Sequence, residues 1–233
     1  MSNIVILTGA GISAESGLGT FRDEGGLWAQ HRIEDVATPE GFARDPQLVV
    51  DFYNARRGQA AEASPNAAHA ALARLEAEHE GTVTLVTQNV DDLHEKGGSQ
   101  SVIHMHGALN SALCSQCENR WPAPLVMSVG EACPKCAAPA ARPDIVWFGE
   151  MPYAMHVIEE ALAAADIFAA IGTSGNVYPA AGFVQMATYS GAHTVELNLD
   201  PSETVSHFAE TRFGKASETV PLWVADVLAG KAG

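Results

Sequence analysis

Four cysteines stand in two close pairs, Cys114-x2-Cys117 and Cys133-x2-Cys136, with fifteen residues between the pairs. This is the spacing of a four-thiolate zinc site. Each pair folds as a knuckle that points two sulfurs at one spot, and four thiolates complete a tetrahedron with no position left for water. A zinc held this way is structural, and its binding is coupled to the folding of a segment too poor in apolar residues to build its own core. Two disulfides or a redox pair are the alternative. Catalytic zinc is disfavoured, because neither histidine nor carboxylate is spaced as a ligand beside an open position.

A second group opens the chain. Leu7-Thr8-Gly9-Ala10-Gly11-Ile12-Ser13-Ala14 has the form G-x-G-x-x-A and follows an apolar run, as a dinucleotide fingerprint does. Glycines without Cβ let backbone N–H groups approach a pyrophosphate, and a helix starting near Ile12 would aim its positive end at the same anion. A tight turn between strand and helix is the plain alternative. The acidic residue expected about 20 positions on is missing, so a dinucleotide would be held differently from that of an ordinary nicotinamide dehydrogenase.

The third group is polar: Thr87-Gln88-Asn89-Val90-Asp91-Asp92-Leu93-His94, then His104-Met105-His106-Gly107. An imidazole titrates near neutrality and suits general-base work. Residue chemistry alone does not choose between His104 and His106. A fourth, smaller pair is Tyr53 and Arg56, three apart in a predicted helix and therefore on one face. A guanidinium can grip a carboxylate through two hydrogen bonds and a phenol can add a third, though an arginine on a solvated face fits the spacing equally well. His31, His69, His79, His156, His193 and His207 read as helix caps or surface groups.

These groups need a scaffold, and the chain predicts one. Short apolar runs at 3–7, 82–87, 102–104, 167–171 and 194–197 read as strands, while 39–57, 67–78 and 153–165 read as helices. The alternation predicts an α/β protein with a mostly parallel sheet covered on both faces. In such sheets ligands sit outside the carboxyl ends of the strands, so the glycine turn and the polar group should meet in one crevice. Residues 110–143 break the rhythm: they hold all four cysteines and five of the twelve prolines, and are expected to form a separate small unit. The division expected is one domain, 1–233, with a parallel-sheet core at about 1–30, 65–109 and 144–233, a helical insert at about 31–64 and the cysteine-bearing insert at about 110–143.

Composition narrows the classes. The 233 residues are 47% hydrophobic and 18% charged, which excludes a disordered chain. Thirteen basic against 28 acidic side chains give a net charge of −15, which argues against nucleic-acid binding. No leader and no run near 18 apolar residues are seen, so a cytoplasmic, membrane-free location is expected. A monomer is expected.

Gly9-Ala10-Gly11-Ile12-Ser13, Thr20-Phe21-Arg22-Asp23, Thr87-Gln88-Asn89-Val90-Asp91, His106-Gly107, the cysteine quartet and Gly172-Thr173-Ser174 stand in the order and spacing of the sirtuins. The chain resembles that family over nearly its whole length. The resemblance implies a Rossmann-like large domain, a smaller zinc-binding domain, and a cleft that receives NAD and an acyl-lysine from opposite sides. It further implies that the acyl oxygen attacks the ribose carbon bearing nicotinamide, and that His106 then deprotonates a ribose hydroxyl, giving O-acyl-ADP-ribose and free lysine. Gly9, Ala10, Gly11, Ser13, Ala14, Thr20, Phe21, Arg22, Trp28, Gln88, Asn89, Asp91, His106, Gly172, Thr173, Ser174, Asn198, Leu199, Asp200 and Ala216 would bind NAD, although Trp28 by itself reads as a packing residue. Val146, Phe148, Gly149 and Glu150 resemble a strand that pairs with substrate backbone.

By the same resemblance Tyr53 and Arg56 mark class III sirtuins, which remove succinyl and malonyl groups. Acetyl-lysine would also react. Ala60 and Ala61 are compatible with a roomy acyl pocket. Gly19 departs from the larger residue often found before the Thr20-Phe21-Arg22 stretch. The competing readings are a deacetylase without acidic-acyl preference, an ADP-ribosyltransferase, a nicotinamide oxidoreductase, and a zinc-stabilised binding module.

Overall fold

In the computed structural model, which describes residues 2–20 and 30–231, β1 (Ile4–Thr8), β2 (Val83–Thr87) and β3 (Val102–His104) fall where the apolar runs predict them. The chain then makes β4 (Gly107–Cys114), β5 (Arg120–Pro122) and β6 (Ala141–Ile145), and returns through β7 (Ile167–Ile171), β8 (His193–Asn198) and β9 (Glu210–Phe213). Six strands form one sheet in the order β3-β2-β1-β7-β8-β9, and every pairing is parallel. β4, β5 and β6 form a separate antiparallel sheet with β4 in the middle.

Helices follow in chain order: α1 (Ala10–Ser13), α2 (Ile33–Val36), α3 (Pro39–Arg44), α4 (Pro46–Glu62), α5 (Ala67–Glu78), α6 (Leu93–Lys96), α7 (Met155–Ala163), α8 (Phe183–Tyr189) and α9 (Ala216–Leu228). No helix among the described residues is long and apolar enough to cross a membrane. Successive side chains of a strand face opposite ways, and both faces of the large sheet are covered. Ile4, Ile6, Leu85, Ala169 and Val195 pack against Leu72 and Leu75 of α5 and Val220, Trp223 and Val224 of α9. Val5, Leu7, Val86, Phe168 and Ala170 pack against Ile158 and Leu162 of α7 and Phe183, Val184 and Ala187 of α8. Runs such as Ile4–Leu7 are apolar at every position, and Ile4–Thr8 is buried throughout, because neither face meets water.

Three elements differ from expectation. The helix predicted over 39–57 is two helices, broken at Asp45, whose carboxylate accepts from the Leu48 N–H at 3.0 Å. Pro46 forces this: the residue before proline is driven out of helical conformation, and proline itself suits a helix's first turn. The strand β9 is an exposed edge with no apolar run to announce it. The zinc-type insert is built on a sheet, and that sheet starts at Gly107 and ends at Ile145, beyond the 110 and 143 expected. In β6 Arg142, Pro143 and Asp144 are all buried. Arg142 donates to both Glu150 carboxylate oxygens at 2.8 Å with its guanidinium 3.8 Å over the Trp147 ring, while Asp144 accepts from Ser111, Arg120 and Tyr153.

Candidate functional site

The large sheet changes winding direction at β1: the chain builds outward to β2 and β3 on one side, then to β7, β8 and β9 on the other. Loops leaving β1 and β7 therefore diverge and leave a crevice at the carboxyl ends of the strands. They touch at its base. A Cβ on Gly9 would lie 2.7 Å from the Gly172 carbonyl oxygen, and one on Gly11 would lie 2.7 Å from the Gly172 Cα. Gly172 itself has φ +63. Any side chain at these positions would push the loops apart.

The glycine N–H groups are spent in this contact: Gly9 donates to Ile171 at 3.0 Å and Gly11 to Gly172 at 2.9 Å. The Gly9 and Gly11 N–H groups are therefore not the ones free to face an anion. Their service is close approach. The first helix also begins at Ala10, not near Ile12, and is a single turn.

On the β2 side the polar cluster is knitted to the glycine turn. Asn89 donates from Nδ2 to Gly9 O at 3.1 Å and to Ser13 Oγ at 3.2 Å, and Ser13 Oγ donates to Asp91 at 3.2 Å. Asn89, Asp91 and Ser13 are buried. Burial raises the Asp91 pKa, opposed by the Leu93 N–H, the Ser13 hydroxyl and the nearby Arg56 charge.

The two histidines left open by the sequence are separated by their partners. His104 has both ring nitrogens engaged, Nδ1 with the Asn89 carbonyl at 3.2 Å and Nε2 with the Glu95 carboxylate at 2.8 Å. Burial lowers its pKa, but the Glu95 contact and charge outweigh this and leave it raised, favouring imidazolium. Among the described residues His106 Nδ1 faces the Gln88 carbonyl at 3.2 Å, so Nδ1 carries the proton and Nε2 the lone pair. Burial, opposed by Gln88, lowers the His106 pKa, so the ring is neutral at pH 7. A neutral, oriented imidazole with one basic nitrogen is what proton abstraction needs.

Beyond β7 and β8 the remaining residues come to the same edge. Asn198 donates from Nδ2 to the Thr173 carbonyl at 2.7 Å, and Ser174 Oγ accepts from the Asn176 N–H at 3.3 Å. Leu199 and Asp200 are exposed just past β8. Ala216 starts α9 beside the turn that contains exposed Ala14, because the next residue, Ser217, donates twice to Glu15, at 3.0 and 2.9 Å. Thr20 is half-buried. Phe21, Arg22 and Trp28 lie outside the described residues.

Helix α4 supplies the Tyr53–Arg56 pair. Tyr53 is 1% exposed, and its hydroxyl accepts from Trp147 Nε1 at 3.2 Å, a partner nothing in the sequence reading named. Burial, the largest effect, pushes the phenol up to about 12, so it remains protonated and keeps a proton to donate. The half-buried Arg56 guanidinium lies 6.0 Å from the Tyr53 ring centroid, and burial lowers its pKa, opposed by Tyr53 and by the Asp91 charge. Ala60 is buried in the same apolar group as Tyr53, Val90 and Trp147.

Residues 146–150 are not a strand of either sheet. Val146 donates to the His106 carbonyl at 2.9 Å and Phe148 to the Ala37 carbonyl at 2.9 Å. Gly149 has φ +93 in the turn that follows, and the Glu150 carboxylate is held by Arg142 and the Trp147 N–H.

The cysteine sulfurs all lie within 4.8 Å of one another, with Cys114–Cys136 and Cys117–Cys133 each 3.7 Å apart. A Zn–S bond of roughly 2.3 Å makes a tetrahedral edge of about 3.8 Å, so the quartet is positioned to bind a zinc ion. Glu118 and Ala137, each just after a pair, take positive φ of 56 and 60, the turn that brings two sulfurs round together.

A parallel sheet with a crevice at its winding reversal, beside an antiparallel sheet whose four cysteines are positioned to bind zinc, defines a dinucleotide-type α/β protein with a metal-binding type of appendage. The Sir2 family model matches residues 9–179, and the chain belongs to that family. A protein of Vibrio parahaemolyticus named NAD-dependent protein deacylase is 60% identical over 230 residues, 97% of this chain and 95% of its own. One of the same name from Escherichia coli is 56% identical over 234 residues, covering 99% and 84%. Among solved structures, a Sir2 homologue–NAD complex has TM-score 0.89 and 38% identity, covering 99% of this chain and 91% of that one.

Proposed function

We propose that this chain is an NAD-dependent protein lysine deacylase that removes succinyl, malonyl and acetyl groups, and that His106 is its general base. The observation that carries the reading is the His106 geometry: one ring nitrogen spent on Gln88, the other basic, with the Gln88 N–H itself donating to the Thr8 carbonyl at 2.9 Å at the end of β1, next to the glycine turn. The relatives' names support the deacylase class. NAD would supply an electrophilic ribose carbon and nicotinamide as leaving group.

The chain's own residues do the rest. Asn89, tied to Gly9 and Ser13, and Asp91 form a rigid polar wall, the part suited to the nicotinamide side. Gln88 orients the base through its carbonyl. Gly172, Thr173, Ser174 and the 198–200 segment would line the ribose and adenine side, with Ala216 at its far end. Tyr53 and Arg56 would read the acyl tail: a carboxylate-bearing acyl group gains a guanidinium and a phenol O–H, whereas acetyl does not reach them. The cysteine quartet would hold structural zinc.

The test is to incubate the protein with NAD and matched acetyl-, malonyl- and succinyl-lysine peptides and measure nicotinamide release. All three peptides should stimulate release, and His106→Ala should reduce it at least a hundredfold while NAD binding persists. Near-normal turnover by that variant would remove His106 from the mechanism.

A further inference from the structure

Among the described residues four buried side-chain atoms have no hydrogen-bond partner, His69 Nε2, His94 Nδ1, Ser99 Oγ and Glu196 Oε2. Buried polar atoms are nearly always paired, so each such atom asks for a reason. Two of them belong to rings that meet. His69, in the first turn of α5, and His94, in α6, are both fully buried, and their rings pack edge to face with centroids 5.0 Å apart.

The outer partner of each ring fixes its tautomer. The Asn66 amide lies 3.3 Å from His69 Nδ1 and can only donate, so Nδ1 holds the lone pair and Nε2 the proton. His94 Nε2 lies 2.9 Å from Thr8 Oγ1, whose one proton goes to Thr87 Oγ1 at 2.9 Å. Nε2 must then donate, which leaves the lone pair on Nδ1. The two unpartnered nitrogens are therefore one donor and one acceptor. The other His94 tautomer would set two N–H groups against each other.

We propose that His69 and His94 act as a neutral imidazole couple, joined Nε2–H to Nδ1 through one water, whose role is to position the nucleotide cradle. From His94 the line of bonds passes through Thr8 to Thr87, whose Oγ1 also accepts the Asn89 N–H at 3.0 Å. Asn89 in turn holds Gly9. At the other end, Asn66 donates from Nδ2 to Ile12 O at 2.7 Å and to Ser16 Oγ at 3.1 Å. Both ends thus return to the glycine turn, which is braced from two sides by one buried relay. Burial depresses both rings, His69 to about 4 and His94 to about 3, the latter helped by His69 and His104 and opposed by Glu95. Neither ring is built to carry a charge. His69 and His94 are positioning residues, since neither touches the crevice, and the inference rests on reading the Gly9 loop and Asn89 as the cradle for NAD.

Two measurements test it. NMR of protein carrying nitrogen-labelled histidine should show both rings neutral and Nε2-protonated from about pH 7 down to about pH 5.5. A charged ring in that range, or His94 protonated on Nδ1, overturns the couple whatever the enzyme does. Kinetically, His94→Phe keeps a ring in place but removes the donor to Thr8, and His94→Gln restores an N–H near the Nε2 position. His94→Phe should raise KM for NAD about tenfold, the size of one lost hydrogen bond, with KM for the acyl peptide unchanged. His94→Gln should recover most of the loss, and adding His94→Phe to Thr8→Val should cost nothing further. An unchanged KM for NAD, or losses that add, overturns the positioning role. Wild-type protein that consumes no NAD would instead sink the proposed function and leave the tautomer result standing.

Discussion

Arg56 sits three residues after Tyr53 on α4, and the two side chains meet as helical spacing requires. Losing its charge-assisted grip should cost roughly 1.5–3 kcal/mol for an acyl group that ends in a carboxylate. Arg56→Met should therefore lower kcat/KM for succinyl-lysine peptide about ten- to a hundredfold and leave the acetyl peptide within about threefold. Equal losses on both peptides would show that Arg56 supports the fold and reads no carboxylate. At this scale the sequence exposes residue types and local spacing well: the cysteine quartet needs nothing more, whereas the Tyr53–Arg56 spacing alone fits a solvated arginine equally well. Partnership across the chain is hidden. His104 and His106 look alike in sequence, and the Glu95 and Gln88 contacts that separate them come from other elements. Trp147 reaches Tyr53 across 94 positions, and no local pattern announces that. In sequence His69 reads as a helix cap or a surface group; it does cap α5, but it is fully buried against His94, which no local pattern announces.

Elements carry a different lesson. The loop after β7 must pass within contact distance of α1, and the crevice exists because no side chain intervenes. Gly172→Ala would add a Cβ 2.7 Å from the Gly11 carbonyl carbon in a residue held at φ +63. Left-handed strain of roughly 1–2 kcal/mol and overpacking of roughly 1–3 kcal/mol should combine to destabilise the protein by about 2–5 kcal/mol in denaturant unfolding. A loss under about 0.5 kcal/mol would mean the two loops are free to separate. Buried parallel strands were readable because continuous apolar runs leave few other readings. The Asp45-Pro46 break was also written in the sequence, as a cap followed by a first-turn proline, although the surrounding helical period obscures it. β6 was illegible for a physical reason: Ala-Arg-Pro-Asp-Ile is buried through ion pairs and a cation–π contact, so its pattern is not apolar.

Across the whole molecule the antiparallel sheet is held in two ways. The cysteine quartet closes the end where Cys114 pairs with Ala141, and α4 packs along the sheet: Arg57 donates to Leu109 O at 2.6 Å, Asn54 bonds the Met127 backbone, and Val50 packs with Ala112, Met127 and Ala141. Because the same helix carries Tyr53 and Arg56, metal loss should be felt at the acyl pocket before it is felt in the parallel core. Chelation of zinc should abolish hydrogen-exchange protection over 107–145 and weaken it along α4, while β1, β7 and β8 stay protected. Uniform loss of protection, or none, would refute this division. The first pair of that sheet sets Gly107 opposite Ile145. The polypeptide thus leaves the parallel core and re-enters it through one doorway, a strand's width across. Whatever length of chain is hung between those two residues, the winding of the six parallel strands is untouched, so trimming or transplanting the appendage alters cargo and leaves the frame as it was.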